Sequence, residues 1–315
     1  MASTQEFRRR IKSVNNTKQI TKAMQMIASI KMQKSVKAAS QARAYIQNAW
    51  NMLSRLAHQA LPENHPLITP RPIKKVAIVL VTSDRGLCGS YNSEVLKRFS
   101  GYVKGINSEE NSVFDNIVSS VIGLENKPGK IEVDVIAVGK KGAEFVKRYK
   151  AGNLLAEFTA IESNAAVEEI LPIAKMSIGE FIDGNYDQVT LIYSHYISSL
   201  KQIPIVKQLL PIIDEHIDNP EIWTEQNSTD AEFKFEPSST AVIEGILKQV
   251  LQAQIFGAIY EANASMYSSQ MVAMQSATDN AEELVDELKL LYNSVRQDGI
   301  TREIAEISGA ADAMK

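Results

Sequence analysis

The chain has 315 residues, of which 44% are hydrophobic and 23% are charged, so it has the length and composition of a globular protein with a sizeable core. It contains no run of about 18 apolar residues and no apolar segment at its start, which argues against a membrane span or a signal peptide. The single cysteine, Cys88, excludes an intramolecular disulfide and fits a reducing compartment.

The net charge of −3 conceals a strong difference between the two ends of the chain. Residues 1–61 contain 11 Lys and Arg but only one acid, Glu6, whereas residues 238–315 contain 5 basic and 11 acidic residues. Opposite charges favour contact between the two ends, although an exposed ion pair contributes at most about 1 kcal/mol.

The N-terminal segment, residues 1–61, has the pattern of one long helix because it contains neither glycine nor proline. Ser3 and Glu6 have capping-box spacing, which predicts a helix start near residue 3. Its apolar residues recur at intervals of three and four, and prolines 62, 66, 70 and 72 end the pattern. At 1.5 Å per residue the helix would be about 85 Å long, so it needs a partner along its length. The periodic apolar residues are Phe7, Ile11, Val14, Met24, Ile27, Ile46, Ala49, Leu53, Leu56 and Ala60.

The C-terminal segment, residues 238–315, supplies a matching helix without proline. Leu284, Leu288, Leu291 and Val295 are spaced by four, three and four residues, and this spacing near 3.5 is typical of a left-handed coiled coil. Small residues between Ala262 and Ala277 allow a close approach of two helix axes. We therefore expect the two terminal helices to pair.

The middle of the chain alternates between strand and helix patterns. Apolar runs predict strands at 74–82, 130–138 and 188–196, and helical patterns occur around 91–104, 140–150 and 164–183. This alternation predicts an α/β domain with a mostly parallel sheet. The predicted organisation is a helix at 1–61, a Pro-rich linker at 62–73, a Rossmann-like α/β domain at 74–218 with an insertion at 106–129, a linker at 219–237 and a helix at 238–315.

The loop after the first strand, "TSDRGLCGSYN" at 82–92, is the position at which phosphate-binding loops occur in α/β folds. It offers only Gly86 and Gly89, so it matches neither the P-loop nor the three-glycine dinucleotide motif. One hypothesis is a free-standing α/β nucleotide-binding or thiol enzyme that uses residues 84–92, with Cys88 and His195 as a thiol–imidazole pair. The competing interpretation is a tight turn with a structural cysteine, in which Asp84 and Arg85 pair or cap.

The remaining polar features favour protein contacts over cofactors. Histidines 58, 65, 195 and 216 lack metal-ligand spacing, so no metal or other cofactor is predicted. No aromatic platform is interleaved with the basic stretches of the N-terminal helix, which argues against nucleic acid. A solvated face, a membrane surface and a helical scaffold that binds an acidic protein remain open.

Four stretches resemble one known family, and they occur in the family's order across essentially the whole chain. They are "NNTKQITKAMQMIASIKMQKS" at 15–35, "SDRGLCGSYN" at 83–92, "QLLP" at 208–211 and "YNSVRQDGITREIAEISGAA" at 292–311. Together they are similar to the gamma subunit of the rotary proton-translocating ATP synthase of the F type.

The resemblance implies a non-catalytic central shaft whose N- and C-terminal helices form an antiparallel coiled coil. The shaft would turn inside a ring of alpha and beta subunits and couple proton flow through the c-subunit ring to ATP synthesis or hydrolysis at the beta subunits. The α/β domain would lie near the epsilon subunit and the c ring. With no organelle-targeting segment recognised, we expect peripheral association with the cytoplasmic side of a bacterial plasma membrane.

The resemblance also implies contact positions, carried over residue by residue. Ile20, Lys22 and Met24 match the positions at which the family's shaft passes the moving loops of the beta subunits. Polar contacts to the surrounding ring are expected at Gln297, Thr301 and Glu303, and residues 304–314 would turn in its upper sleeve. The sequence departs from the family pattern at Met266 and Gln270, where Glu and Arg are usual, at Asp298–Gly299, and in the longer 106–129 insertion.

Overall fold

The computed structural model describes residues 4–60, 65–107, 131–161, 165–212, 236 and 238–313. Ser3 of the predicted capping box, residues 108–129 of the predicted insertion and most of the predicted 219–237 linker lie outside these residues. The chain forms two compact units, one from Met1–Ser29 with Gln270–Lys315 and the other from Ile30–Ser269. The domain boundaries given above remain a prediction.

The described residues contain ten helices and strands. The two long helices, at the start and end of the chain, each contribute to both units. In chain order they are α1 (Thr4–Ala60), β1 (Lys75–Val81), α2 (Tyr91–Asn107), β2 (Glu132–Val138), α3 (Lys140–Tyr149), β3 (Asn153–Phe158), α4 (Val167–Ile182), β4 (Gln188–Tyr196), β5 (Gln202–Leu210) and α5 (Ser239–Ala313). Ser238 caps α5, because its Oγ accepts a hydrogen bond from the Ala241 N–H at 3.3 Å.

In the first unit, α1 and α5 pack antiparallel through positions that recur every seven residues. Thr21 Oγ1 and Thr278 Oγ1 lie 2.8 Å apart, and nearer the start of α1 the Arg8 Nε donates to the Tyr292 hydroxyl at 2.9 Å. A seven-residue repeat is the geometry of a left-handed coiled coil, so the predicted coiled coil is confirmed. The less exposed positions include 7, 11, 14, 18, 21, 25 and 28 on α1, and 271, 274, 278, 281, 285, 288, 292 and 295 on α5.

These less exposed positions form the seam between α1 and α5, and the residues that occupy it differ in part from those expected. Leu288 and Val295 lie in it, as predicted, but Leu284 and Leu291 are 44% and 53% exposed. Ile27 was also expected on the apolar face of α1 and is 56% exposed. Polar residues such as Thr21, Gln25 and Thr278 occupy seam positions instead, so counting apolar residues alone selects a neighbouring stripe of each helix.

The second unit contains a five-stranded sheet in the order β3-β2-β1-β4-β5. The first four strands are parallel, and β5 pairs antiparallel with β4 at one edge. The predicted α/β fold with a mostly parallel sheet is therefore confirmed. The strands β3 and β5 were not predicted from the sequence, whereas the three predicted strands and three predicted helices are all present.

Both faces of the central strands β1, β2 and β4 are largely buried. On β1, Ala77, Val79 and Val81 face a core shared with α1, α4 and α5, and the alternating residues face a second core with α2 and α3. α1 and α5 also pack closely here, because a Cβ at Gly257 would lie 3.3 Å from Ile46 Cδ1. An 18-residue window of α5 is apolar enough for a membrane span, yet 56% of it is buried within the protein, as in the core helix of a globular domain.

Candidate interaction surface

The first unit exposes large apolar side chains on both of its helices. Ile20 on α1 is 60% exposed, and on α5 Ile304 and Ile307 are 62% and 70% exposed. A concentration of exposed apolar side chains is typical of a surface that another protein covers. Further members of this set are Met26, Ile27, Leu284, Leu290, Leu291 and Ile300.

The six contact residues expected from the resemblance all lie in this unit, in two separate bands. Ile20 and Lys22 are exposed on α1, whereas Met24 is partly buried. Gln297, Thr301 and Glu303 are exposed on α5, with the Thr301 hydroxyl donating to the Gln297 carbonyl at 2.9 Å. Thr21, in the first band, lies opposite Thr278 of α5. From Thr278 to Thr301 in the second band is 23 residues of helix, so roughly 35 Å separates the two bands. Their role as contacts remains a prediction.

The turn after β1 holds neighbouring loops together through Asp84. Its carboxylate accepts hydrogen bonds from the backbone N–H groups of Lys140, at 3.0 Å, and Ala160, at 2.8 Å. Because Lys140 is the first residue of α3, Asp84 satisfies one of the N–H groups that a helix start leaves without a partner. The capping role considered for Asp84 is therefore present.

Cys88 and His195 have different partners and do not form the hypothesised thiol–imidazole pair. Cys88 is 2% exposed, and its Sγ accepts a hydrogen bond from Asn92 Nδ2 at 3.2 Å. Burial raises the pKa of the Cys88 thiol, which disfavours the nucleophilic thiolate. The Nδ1 atom of His195 lies instead 2.6 Å from Glu261 Oε2.

The carboxyl edge of the sheet, where open α/β folds usually bind ligands, is covered by α5. Four hydroxyl groups of α5 donate to carbonyl oxygens at this edge, one in β4 and three in the adjoining loops. They are Tyr260 to Ala165 at 3.1 Å, Ser265 to Ser194 at 2.9 Å, Ser268 to Ser199 at 2.6 Å and Ser269 to Cys88 at 2.7 Å. The small residues of this stretch, expected to let helices approach, also attach α5 to the sheet.

Glu261, whose side chain is 10% exposed, joins a polar cluster that the sequence alone did not reveal. Its Oε1 lies 2.7 Å from Arg43 Nη2 on α1, and its Oε2 lies 2.6 Å from His195 Nδ1 on β4. Burial is the main cause that raises the pKa of Tyr193 and lowers the pKa of Lys207; the negative charge of Glu261 adds to the first shift and opposes the second. The available signal was one acid within the small and apolar stretch "GAIYEANAS".

Among the residues that the structure describes, no group of three or more His, Cys, Asp or Glu side chains could hold a metal ion. The fold and the exposed surface define a protein with a pair of long antiparallel helices and an α/β domain, in which the helix pair exposes large apolar side chains.

Comparison with known proteins identifies the family. A family model described as ATP synthase matches residues 3–314. The ATP synthase gamma chain of Nitrosomonas eutropha is 33% identical over 315 residues and is covered completely, as is this chain. The gamma chain of Roseiflexus castenholzii is 36% identical over 316 residues, which cover 100% of this chain and 99% of the relative. The chain belongs to the ATP synthase gamma chain family, as the resemblance predicted.

Solved structures show the same fold. One from the central stalk and c-ring of Tetrahymena thermophila mitochondrial ATP synthase has a TM-score of 0.54 at 23% identity and covers 82% of this chain and 99% of its own. Another, from Euglena gracilis mitochondrial ATP synthase, has a TM-score of 0.59 at 18% identity; the match covers 99% of this chain and 94% of the other. The predicted central-stalk function is supported, and the free-standing enzyme is not favoured. The gamma chain is a subunit of a membrane-associated complex.

Proposed function

We propose that this chain is the non-catalytic rotor of an F-type ATP synthase. The observation that carries the proposal is the antiparallel helix pair of the first unit, which exposes Ile20 and Ile27 on one helix and Ile304 and Ile307 on the other. A surrounding ring of alpha and beta subunits would cover these side chains. The burial of Cys88 and the coverage of the sheet edge by α5 support the non-catalytic part of the proposal.

The mechanism follows from the asymmetry of the paired helices. Their two faces carry different side chains, so a ring of near-threefold symmetry would meet a different surface at each beta subunit. Each orientation of the shaft would favour a different conformation at the nucleotide site of each beta subunit. Rotation would take every one of these sites through the same series of nucleotide affinities. A long continuous helix such as α5 suits this role because it transmits an angular displacement along its axis.

The proposed partners are the alpha and beta subunits, the epsilon subunit and the c-subunit ring. The similar solved structures come from a central stalk with a c-ring and from the F1 part with OSCP and a c-ring, which supports this assembly. We place the chain on the cytoplasmic side of a bacterial plasma membrane, attached through the complex. Proton flow through the c ring would then turn the α/β domain and the helices together.

Rotation of a labelled chain tests the proposal directly. Cys88 is the chain's only cysteine and is 2% exposed, whereas Leu200 is 84% exposed, so Leu200→Cys introduces one accessible thiol for a rotation probe. With the complex immobilised through its hexamer, ATP should drive rotation of the probe in one direction. The chain without Leu200→Cys should carry no probe. A static probe on complexes that hydrolyse ATP, or absence of the chain from the purified ATPase, would overturn the proposal.

A further inference from the structure

Glu261 lies at the point where both long helices meet the central sheet. The two oxygens of its carboxylate have different partners, Arg43 on α1 at 2.7 Å and His195 on β4 at 2.6 Å. Its side chain is 10% exposed, and all three residues belong to the second compact unit. One side chain therefore joins α1, α5 and the sheet.

Directional contacts at this junction differ in kind from the apolar packing around them. Apolar burial is non-directional and permits small rotations of a helix against its neighbours. An Arg–carboxylate contact has a defined geometry, and a buried carboxylate that loses one partner becomes strongly unfavourable. The same carboxylate also interacts with Tyr193 and attracts Lys207, so movement of α1 or α5 would disturb several electrostatic interactions together.

We infer that Glu261 is a positioning residue that fixes α1, α5 and the α/β sheet in one angular relationship, so that a torque on the sheet turns both helices. The inference rests on the proposed rotor function. The hydroxyl groups of Ser265, Ser268 and Ser269 attach α5 to β4 and to the loops at the carboxyl edge of the sheet, and Glu261 extends this attachment to α1 through Arg43.

Glu261→Gln in the complete complex tests the inference, because the amide keeps the shape of the side chain but removes its charge. Complexes with this variant should hydrolyse ATP yet pump several-fold fewer protons per ATP in reconstituted membranes. The matched control is Glu244→Gln on the same helix. Glu244 is half exposed and forms an ion pair with Lys248 of α5 itself, at 2.7 Å. The control should retain the normal pumping-to-hydrolysis ratio. Fewer complexes with an unchanged ratio would mean a merely structural role and would contradict the inference.

Arg43 provides the second variant, since its side chain is 56% exposed and its loss is less disruptive to folding. Arg43→Met should lower the pumping-to-hydrolysis ratio, and Arg43→Lys should restore part of it by keeping the charge. Glu261→Gln combined with Arg43→Met should lower the ratio no further than the poorer single variant, because both substitutions remove the same contact between Arg43 and Glu261. Additive losses would contradict a shared contact.

Hydrogen exchange on the isolated chain separates this inference from the proposed function. Glu261→Gln should increase amide exchange in α1 around Arg43 and in β4 around His195, and Glu244→Gln should not. Unchanged exchange in both segments would overturn the inference even if the chain rotates normally. If the wild-type complex failed to rotate while the exchange result held, the proposed function would fail and Glu261 would remain the joint between α1, α5 and the sheet.

Discussion

At the scale of single residues, backbone geometry limits substitution where β2 ends. Gly139 has a φ of +99°, which L-residues rarely adopt, and a Cβ there would lie 2.3 Å from the Thr82 carbonyl oxygen. The Thr82 N–H donates to the carbonyl of Val138, the last residue of β2, at 2.8 Å, so the ends of β1 and β2 are held closely together. The Thr82 hydroxyl also accepts a hydrogen bond from the Gly142 N–H of α3 at 2.8 Å. The carbonyl cannot move away without loss of these contacts.

We therefore expect Gly139→Ala to lower the free energy of unfolding by at least about 2 kcal/mol, since backbone strain alone costs about 1–3 kcal/mol. Urea titration of the isolated chain measures this change. Gly86→Ala is the control, because a Cβ at Gly86 has no neighbour within 4 Å and its φ is not positive. Similar unfolding midpoints for the two variants would contradict the explanation.

Lys207 provides a prediction of pH dependence. Burial lowers its pKa below the ordinary value of 10.5, and the attraction of Glu261 opposes this only in part. Below the folded-state pKa the lysine is charged in both states, so its burial destabilises the fold; as the pH rises from the folded-state pKa towards 10.5, the folded state loses the proton first and stability recovers. Lys207→Met should thus unfold at higher urea than wild type at pH 7.

The same comparison at higher pH checks the sign. The advantage of Lys207→Met should shrink as the pH approaches 10.5, because wild type then no longer buries a charge. Lys201→Met, at an exposed position of the neighbouring hairpin, should show neither effect. A variant that is less stable than wild type at pH 7 would show that the attraction to Glu261 exceeds the cost of burial.

At the scale of helices and strands, the sequence predicted the elements better than their contacts. The N-terminal helix followed from the absence of glycine and proline, the C-terminal helix from the absence of proline and its regular apolar spacing, and the three buried strands from apolar runs. The seam between α1 and α5 did not follow, because Thr21, Gln25 and Thr278 occupy it while Ile27 and Leu291 face outward. Periodicity therefore indicated a paired helix but not which stripe was paired.

The two missed strands have separate physical causes. β5 contains Pro204, which lowers the strand signal and is tolerated because β5 lies at the sheet edge. β3, at the opposite edge, alternates between exposed and partly buried residues, so it has no continuous apolar run. The Glu261 cluster was equally inaccessible, since its members Arg43 and His195 come from segments distant in sequence. Only the fold brings them together.

Crosslinking tests the seam. Thr21→Cys with Thr278→Cys, in a Cys88→Ser background, should form an intramolecular disulfide under mild oxidation, because the two threonine Oγ1 atoms are 2.8 Å apart. Mass spectrometry of the digested chain identifies the bond. Ile27→Cys with Thr278→Cys should not crosslink, since Ile27 lies six residues, about 9 Å, along α1 from Thr21 and is 56% exposed. A crosslink in the second pair alone would place Ile27 in the seam and reverse the assignment.

At the scale of the whole molecule, α5 has two ends with different surroundings. In the second unit Ile243 and Leu247 are completely buried, whereas in the first unit every described side chain from residue 296 to 310 is exposed. Apolar burial stabilises a fold by about 1.5–3 kcal/mol for each large side chain, so the stability of the chain depends on the buried end. The exposed end is available for contact with another protein.

Ile304→Gln with Ile307→Gln separates these two roles. Because both side chains are largely exposed, the double variant should unfold at the same urea concentration as wild type. It should also self-associate less in sedimentation experiments and bind the alpha–beta hexamer more weakly, since exposed apolar surface drives both associations. Leu247→Gln, at a completely buried position of the same helix, should instead lower stability markedly. If the double variant lost stability while its self-association and hexamer binding were unchanged, Ile304 and Ile307 would support the fold of this chain and the rotor surface would have to lie elsewhere.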